Sequence, residues 1–466
     1  MDSSDYLKIR FHGGELVPMK ATFGRGVHLS YANKIPTKAS PVRDFVSDTV
    51  QIIMSMHIGP PSVPCVKKGD LVKIGQVIGE PVGFMGLPVH ASVSGEVVSV
   101  EKMPYLGEEP VMAVTIRNDF KEEWVDLTPL GNVESVDPAL IVPAIKNAGI
   151  CGMGGASFPT HVKLSLKPEQ KCDTIIVNGA ECETHLTADH RLMLENSYRV
   201  VDGLRAVMRA LGVEHGVIAI EDNKPDAIET MRRVVNGRIG VRVQELKTKY
   251  PQGGEKQLIE AVTHRQVPSG RLPIDVGVIV LNVSTCAAIA DAVIDGKPLI
   301  SRITTVTGCV RNPANLRLRV GTITEDIIGA CGGFSEDVEK VVFGGGMTGL
   351  CVPSLEAPIT KSTGGIVAYN AKDARSVEEG PCIRCGKCVA ACPIGLNPFQ
   401  MKAAADADKL DVAEKLHVMD CILCGGCSYE CPSRRWLTAS FKIVKQKIVA
   451  RRKAAAQAQP KGGSEK

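Results

Sequence analysis

The residues with the clearest chemistry are two runs of four cysteines near the carboxyl end of the chain. Each run has the form C-x2-C-x2-C-x3-C-P, with Cys382, Cys385, Cys388 and Cys392 in the first and Cys421, Cys424, Cys427 and Cys431 in the second. Three thiolates at this spacing can hold one four-iron cluster, while the fourth cysteine reaches the other cluster. The spacing therefore predicts two [4Fe–4S] clusters and transfer of single electrons.

The predicted ligand sets cross between the two runs. Cluster A takes the first three cysteines of the first run and Cys431, and cluster B takes the first three of the second run and Cys392. Two zinc sites and purely structural thiols are the alternatives. Zinc commonly takes CxxC pairs separated by a longer gap, so the close third and fourth cysteines favour clusters.

A glycine-rich loop, GICGMGGASFPT at residues 149–160, is the second candidate site. Such loops let backbone amides approach a phosphate, and Lys163 follows within reach as a counter-charge. An apolar segment then ends in Asn178, Glu181 and Glu183, whose side chains are suited to hydrogen bonds with a flavin ring or a ribose. Cys151 and Cys182 border this region and are interpreted as buried thiols.

The elements that must position this loop alternate between strand and helix over residues 131–298. Apolar runs such as TIIVNG end in small, amide or acidic residues, and one long helical stretch is predicted from Asp189 to Leu211. Alternation of this kind predicts a mostly parallel sheet with ligands at its carboxyl edge. Residues 299–370 are again rich in strands and predict a β-grasp unit.

The segment before the α/β region resembles the lipoyl and biotinyl carriers, whose fold is the barrel-sandwich hybrid. The pattern KKGDLVKIGQ followed by PVHASVSGEV carries the resemblance. Carriers of this family present a modifiable lysine at a hairpin tip, but the tip here reads GFMGL at residues 83–87. A structural β-domain without a covalent cofactor is therefore expected.

Composition excludes several classes of protein. The net charge of +4 is too small to argue for nucleic acid, and runs such as Val276–Val283 are too short to span a bilayer. Sixteen cysteines with no leader pattern at the start indicate a reducing compartment rather than a disulfide scaffold. The expected location is the cytosol or a surface that faces it.

The motifs together resemble a known family. GMGGASFPTHVKL and NGAECETHLTADHRLM resemble the NADH- and FMN-binding subunit of respiratory complex I and, more closely, the C subunits of Rnf complexes, over residues 45–440. The resemblance implies a multidomain α/β protein with these parts: an arm (1–45), a barrel-sandwich hybrid (46–130), a Rossmann-like FMN/NADH domain (131–298), a β-grasp, SLBB-like domain (299–370), an α-helical two-cluster ferredoxin-like domain (371–440) and a basic tail (441–466).

The same resemblance implies which residues bind FMN and NAD(H). These residues are Gly152, Gly154, Gly155, Lys163, Asn178, Glu181, Glu183, Tyr250, Gly253, Gly254, Glu255, Asn282 and Thr285. No catalytic acid or base is expected, because hydride transfer needs none. The chain departs from the complex I pattern at Ala180 and Lys256, where that subunit has acidic residues. It departs from Rnf relatives at Thr184-His185, where they carry Pro-Tyr. These departures bear on the binding of the nicotinamide nucleotide rather than on that of FMN.

The implied function is oxidation of NADH or reduction of NAD+ in a membrane-bound, ion-translocating complex. FMN and the two clusters would pass electrons to the other subunits and ultimately to ferredoxin, from a peripheral position on the cytoplasmic side of the cell inner membrane. One alternative is a stand-alone FMN and iron–sulfur reductase, similar to cobalamin reductase or to the proline-reductase-associated electron-transfer protein. Another is a non-enzymatic polyferredoxin adaptor.

Overall fold

A computed structural model describes residues 9–12, 15–18, 20–30, 33–374 and 378–458. The N-terminal arm carries more regular structure than its sequence predicts; its elements are strands β1 (Ile9–His12), β2 (Glu15–Pro18) and β3 (Val42–Phe45) and helix α1 (Ile35–Lys38). Strands β1 and β2 pair in antiparallel fashion, and β3 pairs in parallel with residues 315–318 of a later domain. An isolated bridge between Ala21 and Leu246 links the arm to a second later domain, so the arm ties two domains together.

The following domain is a β-sandwich. Its strands are β4 (Thr49–Ile53), β5 (Val63–Pro64), β6 (Leu71–Val72), β7 (Val77–Glu80), β8 (Val89–His90), β9 (Gly95–Met103) and β10 (Val111–Asn118). They form a four-stranded sheet, β4-β10-β9-β6, and a three-stranded sheet, β5-β7-β8. Apolar side chains from both sheets, such as Ile52, Val97 and Ile78, are buried between them, as alternation of apolar residues along short strands predicts.

The α/β domain follows and has a four-stranded parallel sheet. Its elements are α2 (Pro138–Asn147), α3 (Thr160–Leu164), β11 (Thr174–Gly179), α4 (Ala188–Glu195), α5 (Ser197–Leu211), β12 (His215–Glu221), α6 (Pro225–Val235), β13 (Val241–Leu246), α7 (Glu255–Thr263), β14 (Val278–Asn282) and α8 (Val283–Asp295), with a 3₁₀ turn at Pro273–Val276. The strand order is β13-β12-β11-β14. The long helix predicted from Asp189 to Leu211 is in fact two helices, because Asn196 leaves the helical conformation at φ −138°.

Close packing of helices on this sheet depends on a glycine. Gly203 of α5 lies against the backbone of Cys286 in α8, where a Cβ atom would stand 1.8 Å from the Cys286 carbonyl oxygen. Any side chain there would force the two helices apart. Since the strands are buried on both faces, their sequences are almost continuously apolar, as is usual for parallel sheets.

The β-grasp domain contains β15 (Ser301–Gly308), β16 (Ala314–Arg319), α9 (Thr324–Ala330), β17 (Lys340–Phe343), β18 (Leu350–Cys351) and β19 (Gly365–Tyr369). Its six-stranded sheet has the order β18-β17-β19-β15-β16-β3, so the arm supplies the edge strand. A short helix, α10 (Ala371–Ala374), leads out of the domain.

The last domain is helical. Its helices are α11 (Lys387–Ala391), α12 (Pro398–Asp406), α13 (Leu410–Lys415), α14 (Gly426–Tyr429) and α15 (Leu437–Ala458), with a 3₁₀ turn at Val418–Asp420. Helix α15 buries Phe441, Val444 and Ile448 in the core of this domain, so the predicted start of the tail at residue 441 falls inside a packed helix. The predicted frayed end beyond residue 458 lies outside the described residues. In the described ranges, no helix is both long and apolar enough to cross a bilayer.

Candidate functional site

The strand order of the parallel sheet reverses between β11 and β14, and we call the carboxyl edge of the sheet at this point the crevice. From β11 the chain moves outward through β12 to β13 and then returns to place β14 on the other side, so the strand order reverses at this point. Asn178 and Asn282, the predicted contacts on these two strands, stand opposite each other in the register. Ligands of open α/β sheets bind in such a crevice.

The glycine loop lies at this edge. It is closed by hydrogen bonds from Gly152 N–H to the Phe158 carbonyl (2.8 Å) and from Ser157 N–H to the Gly152 carbonyl (3.2 Å). Thr285, another predicted contact, accepts the Met153 N–H through its hydroxyl at 3.0 Å.

The tip of the loop offers unused donors. Gly154, Gly155 and Ala156 are exposed, and among the described residues their backbone amides have no acceptor. Gly155 has φ +102°, which favours glycine. A cluster of free amides at the edge of a parallel sheet suits a phosphate.

The loop has a cation nearby. Lys163 on α3 donates to Glu255 Oε1 at 2.8 Å and to the Val280 carbonyl at 3.0 Å, which holds its ammonium beside β14. The structure thus brings together two predicted site residues that are far apart in sequence. The pair is half-exposed, so an incoming anion can compete with Glu255 for the lysine.

Asn282 is held in place by a residue that the sequence analysis did not select. Its Oδ1 accepts the Ser284 N–H at 2.8 Å and so caps α8, and its Nδ2 donates to Asp189 Oδ2 at 2.6 Å. The Ser284 hydroxyl donates to the other oxygen of Asp189 at 2.7 Å. Asp189 lies in the quoted motif NGAECETHLTADHRLM, but nothing in its local spacing indicates this long-range contact.

Asn178 joins the loop after β11 to the loop after β13. Its Nδ2 donates to the Gly253 carbonyl at 2.8 Å, and its Oδ1 accepts the Ala180 N–H at 3.1 Å. The Gly253 N–H in turn donates to Cys182 Sγ at 3.3 Å. Gly254 leaves room for the Gln257 side chain, because a Cβ atom at Gly254 would stand 2.4 Å from Gln257 Oε1.

Glu181 is a buried carboxylate with a lysine from the arm beside it. Lys34 donates to the carbonyls of Glu181 (2.6 Å) and Leu186 (2.7 Å), and its Nζ lies 3.8 Å from Glu181 Oε2. Burial raises the pKa of Glu181 to about 7, although Lys34 opposes the rise. Lys34 is a second residue that the sequence analysis missed, since it is isolated in an otherwise unremarkable arm.

One oxygen of Glu181 lacks a hydrogen bond within the part of the chain that the structure describes. Oε1 accepts the Asp189 N–H at 2.7 Å, whereas Oε2 is buried with no hydrogen bond among the described residues. Leaving such an oxygen unsatisfied costs about 1–3 kcal/mol, which a donor from a bound molecule would offset. FMN offers both a phosphate for the loop amides and a ring N–H for this oxygen, so the residues at the edge fit it.

Glu183 faces the β-grasp domain. Its Oε2 accepts the Met347 N–H at 3.0 Å, and its Oε1 accepts the Thr348 hydroxyl. Burial raises the pKa of Glu183. Its predicted contact with a nucleotide stays a prediction; in this structure the carboxylate fastens the glycine-rich segment at 344–349 to the sheet edge.

The eight cysteines of the two runs form two groups. A cavity of about 540 Å³ is lined by Cys382, Cys385 and Cys388 together with Cys431, and a narrower one by Cys421, Cys424 and Cys427 together with Cys392. The fourth cysteine of each run therefore lies with the other run, as in the predicted crossed sets.

The two runs have matching backbones. Arg384 and Leu423 both have φ +56°. Gly386 and Gly425 follow at φ +78° and +81° and are the N-cap residues of α11 and α14. These turns direct three cysteines of a run towards one cavity. Burial, with Cys421, Cys424 and Cys392 nearby, raises the pKa of Cys427 to about 12.

Each group of four thiols fits an iron–sulfur cluster, since thiolate is the ligand that such clusters take. Within the described ranges, no three cysteine, histidine or acidic side chains converge closely enough to hold a single metal ion.

The second cysteine group adjoins the sheet edge. The Tyr250 hydroxyl donates to the Cys424 carbonyl at 2.7 Å, and Tyr250 packs with Val27 and Ala391 in an apolar cluster that also contacts Cys182 and Cys424. In the first group Cys382 and Cys385 are exposed. The structure therefore has an inner cysteine group, beside the crevice, and an outer one, open to solvent.

Comparison with known families gives four matches in the predicted order. The "RnfC Barrel sandwich hybrid domain" matches residues 21–121, the "Nuo51 FMN-binding domain" residues 145–291, the "SLBB domain" residues 303–350 and the "4Fe-4S dicluster domain" residues 375–432. These matches confirm the predicted fold class.

Three relatives are similar over most of their length. The chain is 44% identical over 435 residues to the C subunit of the Na(+)-translocating ferredoxin:NAD(+) oxidoreductase complex of Acetobacterium woodii, covering 93% of this chain and 98% of that one. It is 44% identical to the proton-translocating counterpart of Clostridium ljungdahlii, covering 86% and 88%. It is 40% identical to the C subunit of the ion-translocating oxidoreductase complex of Rhodobacter capsulatus, covering 91% and 81%.

Proposed function

Because the chain belongs to the family of Rnf complex C subunits, we propose that it exchanges electrons between NAD(H), FMN and two [4Fe–4S] clusters and passes them to the other subunits of that complex. One observation carries this proposal: the inner cysteine group contacts the crevice directly, through Tyr250 and Cys424. A site for a two-electron carrier and a path for single electrons are thus adjacent in one chain.

The crevice binds and orients the flavin and the nucleotide. The free amides of Gly154 and Gly155 and the ammonium of Lys163 would hold the phosphate of FMN, and Glu181 Oε2 would accept a hydrogen bond from a donor on its ring. Asn178 and Asn282 fix the loops on both sides of the crevice. Bound FMN supplies the conversion between a two-electron hydride and single electrons.

The chain's own contribution to hydride transfer is alignment, because no proton has to be moved by a side chain. Met153 N–H and Thr285 tie the glycine loop to the start of α8, so the phosphate position is fixed relative to the crevice. Pre-set geometry of this kind lowers the barrier without acid–base catalysis. A side chain at Gly253 would press on Cys182 Sγ, and one at Gly254 would clash with Gln257, so these glycines let the loop after β13 lie against Asn178.

Cys421, Cys424, Cys427 and Cys392 would hold cluster B beside the crevice, and Cys382, Cys385, Cys388 and Cys431 would hold cluster A at the surface. This order predicts that electrons pass between the flavin and the complex through B and then A. The relatives' names supply the finer statement that we adopt: the complex couples ferredoxin:NAD+ oxidoreduction to ion translocation. The chain is then peripheral, on the cytoplasmic side of the cell inner membrane.

The test is an anaerobic purification with visible spectra recorded before and after addition of NADH. We expect a flavin band and a broad iron–sulfur absorbance, both bleached by NADH, with about eight irons per chain, as two four-iron clusters require. Clusters without flavin and without a response to NADH would contradict the dehydrogenase role and leave an electron-wiring adaptor. Full activity in a chain that does not associate with its membrane subunits would favour a stand-alone reductase.

A further inference from the structure

The cysteine of the inner group at position 421 receives a hydrogen bond from a lysine outside its run. Lys445 Nζ donates to the Cys421 carbonyl at 2.6 Å and to the Met419 carbonyl at 3.2 Å. Lys445 is half-buried on α15. The buried apolar residues of α15 fix the position of this helix in the domain. A positive charge is thus held against a cluster ligand.

The outer group has no equivalent. Cys382 and Cys385 occupy the matching positions of the first run, and among the described residues no side chain donates to their carbonyls. In the inner group, Cys424 also receives such a bond, from the Tyr250 hydroxyl at 2.7 Å. The two runs therefore differ in what surrounds them and not in their backbone.

Two partly buried cations, Lys402 and Arg435, line the cavity of the outer group, and both are paired with carboxylates. Arg435 lies 2.8 Å from Asp406 Oδ2 and 3.9 Å from Glu379 Oε2. Lys402 lines the cavity of that group and is 7% exposed, but its ammonium lies between Asp406 and Glu379, the latter at 3.3 Å. Arg384 and Lys387 of the first run are exposed, so solvent and salt screen their charges. The outer group therefore gains little net positive charge from its surroundings.

No carboxylate in the described residues lies within ion-pair distance of Lys445. Asp420 is next to Cys421 in sequence but turns its oxygens to the Ser269 hydroxyl, at 2.8 and 2.7 Å, and towards His417. A half-buried charge is screened much less than an exposed one.

We propose that Lys445 raises the reduction potential of cluster B above that of cluster A. Reduction adds negative charge to a cluster, and a nearby cation stabilises the reduced form. When the two clusters together carry one electron, that electron then resides on cluster B, beside the crevice. This inference rests on the proposed function, since it requires a cluster at each cysteine group.

The test is a redox titration of the full-length protein, followed by EPR of the reduced clusters. Lys445→Met removes the charge, Lys445→Arg retains it, and Lys447→Met is the matched control. Lys447 is exposed on the same helix and paired with Asp408 at 2.7 Å. At a fixed potential near the upper of the two reduction steps, we expect Lys445→Met to lower the reduced-to-oxidised ratio roughly tenfold, about 59 mV for one electron. The potential of the lower reduction step should not change. Lys445→Arg and Lys447→Met should show the same two reduction potentials as the parent protein.

Three results would overturn the inference: no shift, an equal shift of both steps, or a shift of the lower step alone. If Lys445→Met fails to load its clusters, Lys445→Gln decides, because its amide can still donate to the carbonyls without a charge. Failure of both to load would make Lys445 a structural residue and also overturn the inference. Iron and sulfide analysis of the parent separates the two proposals, since absence of two four-iron clusters would overturn the proposed function and this inference with it.

Discussion

The two cysteine groups and the crevice at the sheet edge are assembled in different ways. All eight cysteines come from residues 382–431, and their domain has its own apolar core around Phe441 and Val418. The crevice takes Lys34 from the arm, Glu181 from the sheet and a fastening contact at Met347 from the β-grasp domain. The first site is local in the sequence, and the second depends on the packing of several domains.

The two sites should therefore respond differently to substitution. A substitution in a cysteine run should alter mainly the structure of the helical domain. A substitution at the crevice should also alter the packing of the arm and the β-grasp domain. The junction, where Tyr250 contacts Cys424, belongs to both sites. Variants placed in one site, in the other and at the junction therefore test whether the two are built independently and coupled only for electron transfer.

The largest effect is expected from loss of the inner cluster. Cys424→Ala should roughly halve the iron content, because one of two clusters loses a ligand. NADH should still bleach the flavin, but reduction of the remaining cluster by NADH should slow by more than about tenfold, since B lies between the crevice and A. Stopped-flow spectra measure both steps. Cys385→Ala is the control, and equal rates in the two variants would contradict the order of the clusters.

Loss of the flavin should be nearly as complete, without loss of iron. Gly155→Val puts a branched side chain at φ +102° among the free amides, so we expect bound FMN to fall by more than about tenfold while the iron content stays unchanged. Gly237→Val is a matched control, because Gly237 also has positive φ (+78°) and open space around it. Flavin and iron assays on the purified proteins give the answer; equal flavin loss in both variants would point to backbone strain alone.

A smaller effect concerns pH, and it sets the crevice apart from the cysteine runs. Burial raises the pKa of Glu181 from its ordinary value of 4.5 to about 7, so its favourable contribution to stability is full below about pH 4.5 and lost as pH rises to about 7. The loss is at most about 3 kcal/mol. Glu181→Gln should therefore flatten the fall in unfolding free energy across this window.

Denaturant unfolding at pH 5, 6, 7 and 8 measures this slope in the flavin-free protein. The control is Glu169→Gln at an exposed position, which should leave the slope of the parent. Parallel curves for the parent and Glu181→Gln would show that Glu181 does not titrate in that range. An offset that is the same at all four pH values would reflect the lost contact with Lys34 instead.

The cysteine sets and the domain order could be predicted because the signals lie in short stretches of sequence. Fixed spacing of three cysteines specifies a turn around one cluster, and strands alternating with helices specify a parallel sheet with a ligand edge. The split of the predicted helix at Asn196 was not predictable, since the apolar periodicity continues through it. The strand at Val42–Phe45 was missed because its partner lies about 270 residues away.

Lys34, Asp189 and Lys445 were missed for a related reason. Each acts through a contact with a residue distant in sequence or outside its own motif, and a single lysine or aspartate in a helix or an arm usually lies on a solvated face. Their importance follows from burial and from the carbonyls and amides that they meet, which only the packing of the domains determines.

The smallest expected effect is at the junction, where the hydroxyl of Tyr250 donates to the Cys424 carbonyl. Tyr250→Phe leaves the Cys424 carbonyl without its donor, which should lower the free energy of unfolding by about 1 kcal/mol. The main effect should be a slower reduction of the clusters by NADH. Tyr429→Phe is the matched control, because its hydroxyl bonds to Ser30, away from the crevice. Both variants should lose similar stability in denaturant, but only Tyr250→Phe should change the stopped-flow rate. Equal rates would mean that the crevice and the inner cluster are coupled by proximity alone and that this hydrogen bond does not matter to the transfer.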